Sequence, residues 1–89
     1  MRIWKYPLEV ADQQNLKLPT GAKILTVQAQ DGNPCLWALV DETLPKFRFE
    51  IHAIAIYGTG TPIPDEPGDY IATFQIMGGE LVFHAFEYK

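Results

Sequence analysis

The run Tyr57-Gly58-Thr59-Gly60 is where residue types and spacing come closest to a ligand site. Two glycines around a threonine offer backbone N–H groups and a hydroxyl. Successive N–H groups in a glycine turn form a nest for an anion such as a phosphate. The run lacks the Lys-Ser/Thr ending of a P-loop, and no helix follows to lend its dipole. A glycine turn leaving a strand is the plainer reading. His84 interrupts an otherwise apolar stretch, LVFHAF. There an imidazole is either satisfied within the fold or held ready to hydrogen-bond a ligand. Trp4, Lys5 and Tyr6 make a third candidate: aromatic rings stack on bases or sugars, and a lysine pairs with phosphate. Core packing for Trp4 and a solvated Lys5 is the competing reading.

Catalytic and metal chemistry find little support. The acidic residues cluster in turn-like segments at Asp41, Glu42, Asp65, Glu66 and Asp69. Neither a carboxylate pair nor a base beside a nucleophile is legible. Pro64 and Pro67 disturb any regular calcium register among Asp65, Glu66 and Asp69. His52 and His84 have no neighbours at ligand spacing, so no metal is expected. No cofactor is expected either, and the chain reads as a binder, not an enzyme.

The elements that must position these residues are strands. In residues 46–57 (KFRFEIHAIAIY), Phe47, Phe49, Ile51, Ala53, Ala55 and Tyr57 share one face of an extended strand; Arg48, Glu50 and His52 begin the other. Asp31-Gly32 separates KILTVQAQ from NPCLWALVD and suits a two-residue type I′ turn. Gly78-Gly79 separates DYIATFQIM from ELVFHAFEY, and the same turn argument applies. Residues 2–10 read as a first strand that Pro7 confines to an edge or a break. Residues 14–18 read as a second, with a helix over 8–17 competing. Residues 41–45 read as a loop. Residues 58–68 hold three prolines and three glycines and are the main surface loop. The fold class is all-β: a small antiparallel sandwich or partly open barrel of about seven strands, one domain over residues 1–89.

Composition narrows the partners. The formal net charge is −4 with no basic run, so no stripe exists to neutralise a DNA or RNA backbone. A small nucleotide needs only one or two cations. Cys35 is the only cysteine; it reads as a buried thiol in a strand, compatible with a reducing compartment. The N-terminal segment has no apolar run suited to a signal or a membrane span. A cytoplasmic location is expected, with no membrane partner.

Several strands are apolar on both faces. In PCLWALVD, Cys35, Trp37 and Leu39 oppose Leu36, Ala38 and Val40. In ELVFHAFEY, Leu81, Phe83 and Ala85 oppose Val82, Phe86 and Tyr88. An antiparallel sheet normally wets one face. The second face is expected to meet another copy or a ligand, which predicts a homo-oligomer, a dimer or higher.

The order of IWKYPLEV, LPTGAKILTVQAQ, PCLWALVD, IYGTGTPIP and YIATFQIMGGELVFHAFE resembles a family of small, mostly uncharacterised phage and prophage β-proteins, over nearly the whole chain. The resemblance implies a viral or prophage origin, a short β-rich protein and no assigned enzymatic activity; the expected cytoplasm is then that of the host cell. By class alone the chain is also similar to phage sponges, which sequester nucleotide signals of bacterial immunity. The resulting expectation is sequestration of a nucleotide-like molecule at pockets between subunits. Trp4, Trp37 or His84 would contact base or sugar; Lys5, Thr59, Gly58 and Gly60 would hold phosphate oxygens beside Tyr57. Docking of a host protein on an exposed aromatic face is the alternative.

Overall fold

The computed structural model describes residues 1–41, 43 and 48–88. The strands are β1 (Arg2–Pro7), β2 (Gln14–Pro19), β3 (Lys23–Gln30), β4 (Asn33–Val40), β5 (Phe49–Gly58), β6 (Asp69–Ile76) and β7 (Leu81–Tyr88). They form two sheets, β1-β4-β3 and β2-β5-β7-β6, and every described pairing is antiparallel. The all-β reading therefore stands, as a two-sheet sandwich. Of the run read as one strand from residue 46, the described strand begins at Phe49; Lys46 and Phe47 lie outside the described residues, as do Glu42, Leu44 and Pro45 of the expected loop. The weighed helix over 8–17 gives way to β2, whose alternation of Leu16 and Leu18 inward with Asn15 and Lys17 outward has the strand period.

Residues opposite one another in an antiparallel ladder share a face, so the registers sort inside from outside. Leu18, Ile54, Ile56, Ala72, Phe74 and Ala85 of the larger sheet meet Val27, Leu36 and Ala38 of the smaller one in a single core cluster. The side of β5 that carries Phe49, Ile51, Ala53, Ala55 and Tyr57 is the outer one, despite its longer apolar run. The sheets come closest where β3 lies against β6. Each of these two edge strands carries a register shift, between Ile24 and Thr26 and between Tyr70 and Ala72. Such irregularities twist an edge and spoil it as a template for foreign strands.

Asp31 (φ 52°) and Gly32 (φ 80°) supply the two left-handed residues of the β3–β4 turn, with Gln30 opposite Asn33. The β6–β7 hairpin differs from the two-residue expectation. Ile76 pairs with Leu81, and the intervening residues make a short 3-10 turn. Met77 shares the left-handed conformation with Gly78 and Gly79. Pro7 ends β1 and Pro19 ends β2, both edge strands, where a missing N–H costs no ladder bond. Cys35 is buried, as its strand position implied, with its thiol 3.7 Å from the Asn33 carbonyl.

One topological fact sets up everything on the outer face of the larger sheet. β5 and β6 both run antiparallel to β7, which lies between them, so they run parallel to each other. β5 ends with Gly58 opposite Phe83, and β6 begins with Asp69 opposite Glu87. The connection must return four β7 residues, roughly 14 Å at the antiparallel rise, and cross β7 on the way. The smaller sheet occupies the inner side. The segment 59–68 therefore crosses outside.

Gly68 ends that crossing at φ 100°, and a Cβ there would sit 2.2 Å from the Glu87 carbonyl oxygen. Gly68→Ala is expected to cost more than about 2 kcal/mol, from left-handed strain and collision with backbone. Chemical denaturation with an unchanged midpoint would contradict this close approach.

Candidate functional site

Under the crossing lies a cavity of about 180 Å³. Tyr57, His84 and Phe86 floor it from the sheet, Gly58 to Thr61 form one wall, and Ile63 reaches in from the middle of the segment. Cross-strand register explains the floor: Tyr57 stands opposite His84, and Ala55 opposite Phe86. The segment shields these positions, since Ala55 is fully buried and Tyr57 only 6% exposed although both face outward. The chain thus covers part of its second apolar face by itself. Phe49 (52% exposed), Ile51 (59%) and Tyr70 (60%) remain open at other points of the same sheet.

His84 is held from both sides. Its Nε2 lies 2.7 Å from Thr59 Oγ1, and its Nδ1 2.9 Å from Thr73 Oγ1; Tyr70 OH lies 2.7 Å from Thr73 Oγ1. The Thr59 hydroxyl also donates to the Val82 carbonyl at 3.2 Å, and the Thr59 amide donates to the same oxygen at 3.0 Å. A carbonyl only accepts, so it sets the direction at Thr59 and at Nε2. With its one hydrogen on Val82, Thr59 Oγ1 accepts from Nε2–H. When the ring is neutral, Nδ1 accepts from Thr73, and Thr73 accepts from Tyr70. Every hydrogen in the network has a place.

Tyr57 places its hydroxyl 3.1 Å from that of Tyr88 and packs its ring 6.1 Å from Phe86; Tyr70 meets Phe86 edge-on at 5.7 Å. Donation to Tyr88, then burial, then the charges of Tyr88 and Asp12, push the Tyr57 phenol up to about 12. At the other end of the sheet, His52 Nδ1–H donates to Glu87 at 2.6 Å on the inner face, and its buried Nε2 has no hydrogen-bond partner. Glu50 stands 3.9 Å from that nitrogen. No group of three or more His, Cys, Asp or Glu suited to a metal occurs among the described residues.

Five of the eight residues singled out from the sequence, Tyr57, Gly58, Thr59, Gly60 and His84, meet in this cavity. Trp4, Lys5 and Trp37 do not join them. Lys5 and Trp37 are opposite one another on the outside of the smaller sheet, where Lys5 donates to Gln30 at 2.6 Å. Trp4 is 47% exposed and faces the other way, opposite Ala38. The anion nest is also reduced, because the amides of Thr59 and Thr61 are spent on Val82 and Gly58. Thr73, Tyr70 and Ile63 went unselected. The hairpin register carried a signal for Thr73, since counting back from Gly78-Gly79 sets Thr73 opposite His84. Tyr70 and Ile63 depend on a bulge and a crossing that no local pattern marks.

The fold and site together define a small two-sheet antiparallel β-sandwich with a histidine-centred cavity beneath a crossover segment. The chain belongs to the family described as Domain of unknown function (DUF7352), which matches residues 1–89. No curated protein and no solved structure matches it. No helix among the described residues is long and apolar enough to cross a membrane.

Two outcomes check this geometry. Long-range ¹H–¹⁵N spectra of the neutral imidazole are expected to find the His84 proton on Nε2, with Thr59→Val yielding a tautomer mixture; a mixture in the unmutated protein would refute the carbonyl-anchored order. The raised phenol of Tyr57 stabilises the fold below about pH 10, the ordinary tyrosine value, and that contribution disappears as pH climbs to about 12. Ultraviolet titration should show one tyrosine ionising near pH 12, absent in Tyr57→Phe.

Proposed function

We propose that this protein is a non-enzymatic binder that sequesters a small nucleotide-like molecule. The observation that carries the reading is the convergence of Tyr57, Thr59 and His84 under the crossing segment, with Phe86 as a second aromatic wall. Ligand pockets for whole drug-sized molecules run from about 300 to 1,000 Å³. The cavity is smaller, so it seats one ring and leaves the remainder outside. A second copy closing over the exposed Tyr70 and the open side supplies that remainder, which makes the homo-oligomer part of the reading. Lys5 and Trp37 of another copy are the residues suited to the outer portion. The resemblance to phage and prophage proteins makes an immune nucleotide signal in the host cytoplasm the cargo, held stoichiometrically and released unchanged.

A second reading has its own support. Phe49 and Ile51 are exposed side by side on the outer face of β5, and a host protein docked there would cover them. Titration calorimetry against cyclic dinucleotides and ADP-ribose derivatives separates the two. Sequestration predicts heat at micromolar protein, weakened at least tenfold by His84→Phe, with the ligand recovered intact. Silence across the panel, together with a stoichiometric host protein in pull-downs that Ile51→Glu abolishes, would replace sequestration with docking.

A further inference from the structure

The cavity has a polarity that selects which part of such a ligand it takes, an inference that rests on the binding role just proposed. No Lys or Arg is among the described residues that line it. The carboxylate of Asp12 is one of the charges that act on the phenol of Tyr57. A phosphate entering here would lose hydration with no Lys or Arg among the described lining residues to replace it.

The hydrogen-bond chain sharpens the point. Thr59 has given its only hydrogen to the Val82 carbonyl, and one of its two lone pairs has taken Nε2–H. What remains on the cavity wall is a second lone pair, which accepts and cannot donate. The amides of Thr59 and Thr61 are likewise occupied within the fold. Tyr57 and Phe86 present aromatic surface, suited to the face or edge of a flat ring. We infer that the cavity binds an uncharged planar ring bearing an N–H donor, such as a nucleobase with an exocyclic amine or a carboxamide-bearing heterocycle, and that phosphates of the ligand lie outside it.

The test compares adenosine, inorganic pyrophosphate and ADP-ribose on the full chain, with calorimetry and the imidazole resonances of His84 as readouts. Adenosine is expected to shift the His84 signals and to bind within about threefold of ADP-ribose, while pyrophosphate leaves them unmoved. Thr59→Val should weaken adenosine about tenfold, the worth of one hydrogen bond, and Thr59→Ser should restore it. Circular dichroism of both variants confirms that the sandwich persists. ADP-ribose binding without adenosine binding, or pyrophosphate shifting His84, would overturn the uncharged-ring assignment while leaving the binding role in place. No binding of any of the three would remove both. Equal binding by Thr59→Val and the parent would overturn the role given to the Thr59 oxygen.

Discussion

β5 and β6 run the same way with β7 between them, and a chain this short has to join them across the outside of its own sheet. That constraint organises the rest. A hairpin-only meander would have left the outer face of β5 and β7 open from end to end. The crossing instead buries Ala55 and Tyr57, creates a cavity over His84, and brings Thr59 to the imidazole. The site is thus a by-product of strand order before it is a product of residue type. Its polarity is then set by the Val82 carbonyl, whose two hydrogen bonds from Thr59 leave the threonine oxygen only able to accept.

The two sheets divide the candidate chemistry. The outer face of the larger sheet gathers hydroxyls, the imidazole of His84 and aromatic rings, with the Asp12 charge felt at Tyr57. The smaller sheet carries Lys5 and Trp37 on its outer side, out of reach of the cavity in the same copy. A ligand contacting both sets must bridge two molecules. The proposal of an oligomer and the proposal of a ligand therefore depend on one another through geometry, where the sequence had linked them only through excess apolar surface.

Much of the fold was legible because its signals are local. Alternation identified the strands, Asp31-Gly32 set the register of β3 against β4, and Pro7 confined the first strand to an edge or a break. Where both faces of a strand are apolar, alternation cannot say which is inside. Phe49, Ile51 and Tyr57 formed the more conspicuous row on β5, yet Ile54 and Ile56 make the core. The split of Trp4 and Lys5 across two faces follows from period-two geometry and was available from the start. The meeting of Ile63 with His84 was not, since it depends on strand order, a property of pairings distant in sequence. The β6–β7 turn shows a milder limit: Gly78-Gly79 gave the right register, but the left-handed conformation spread to Met77.

The crossing segment is fastened at its two ends and nowhere so tightly between. Thr59 is pinned to Val82, and Gly68 is pressed against the backbone of Glu87. Residues 62–66 span the interval with exposed side chains. An arch with fixed abutments can change its keystone without disturbing the walls. Substitutions or short insertions near Ile63 would reshape the roof over the cavity while the sheet below keeps its registers.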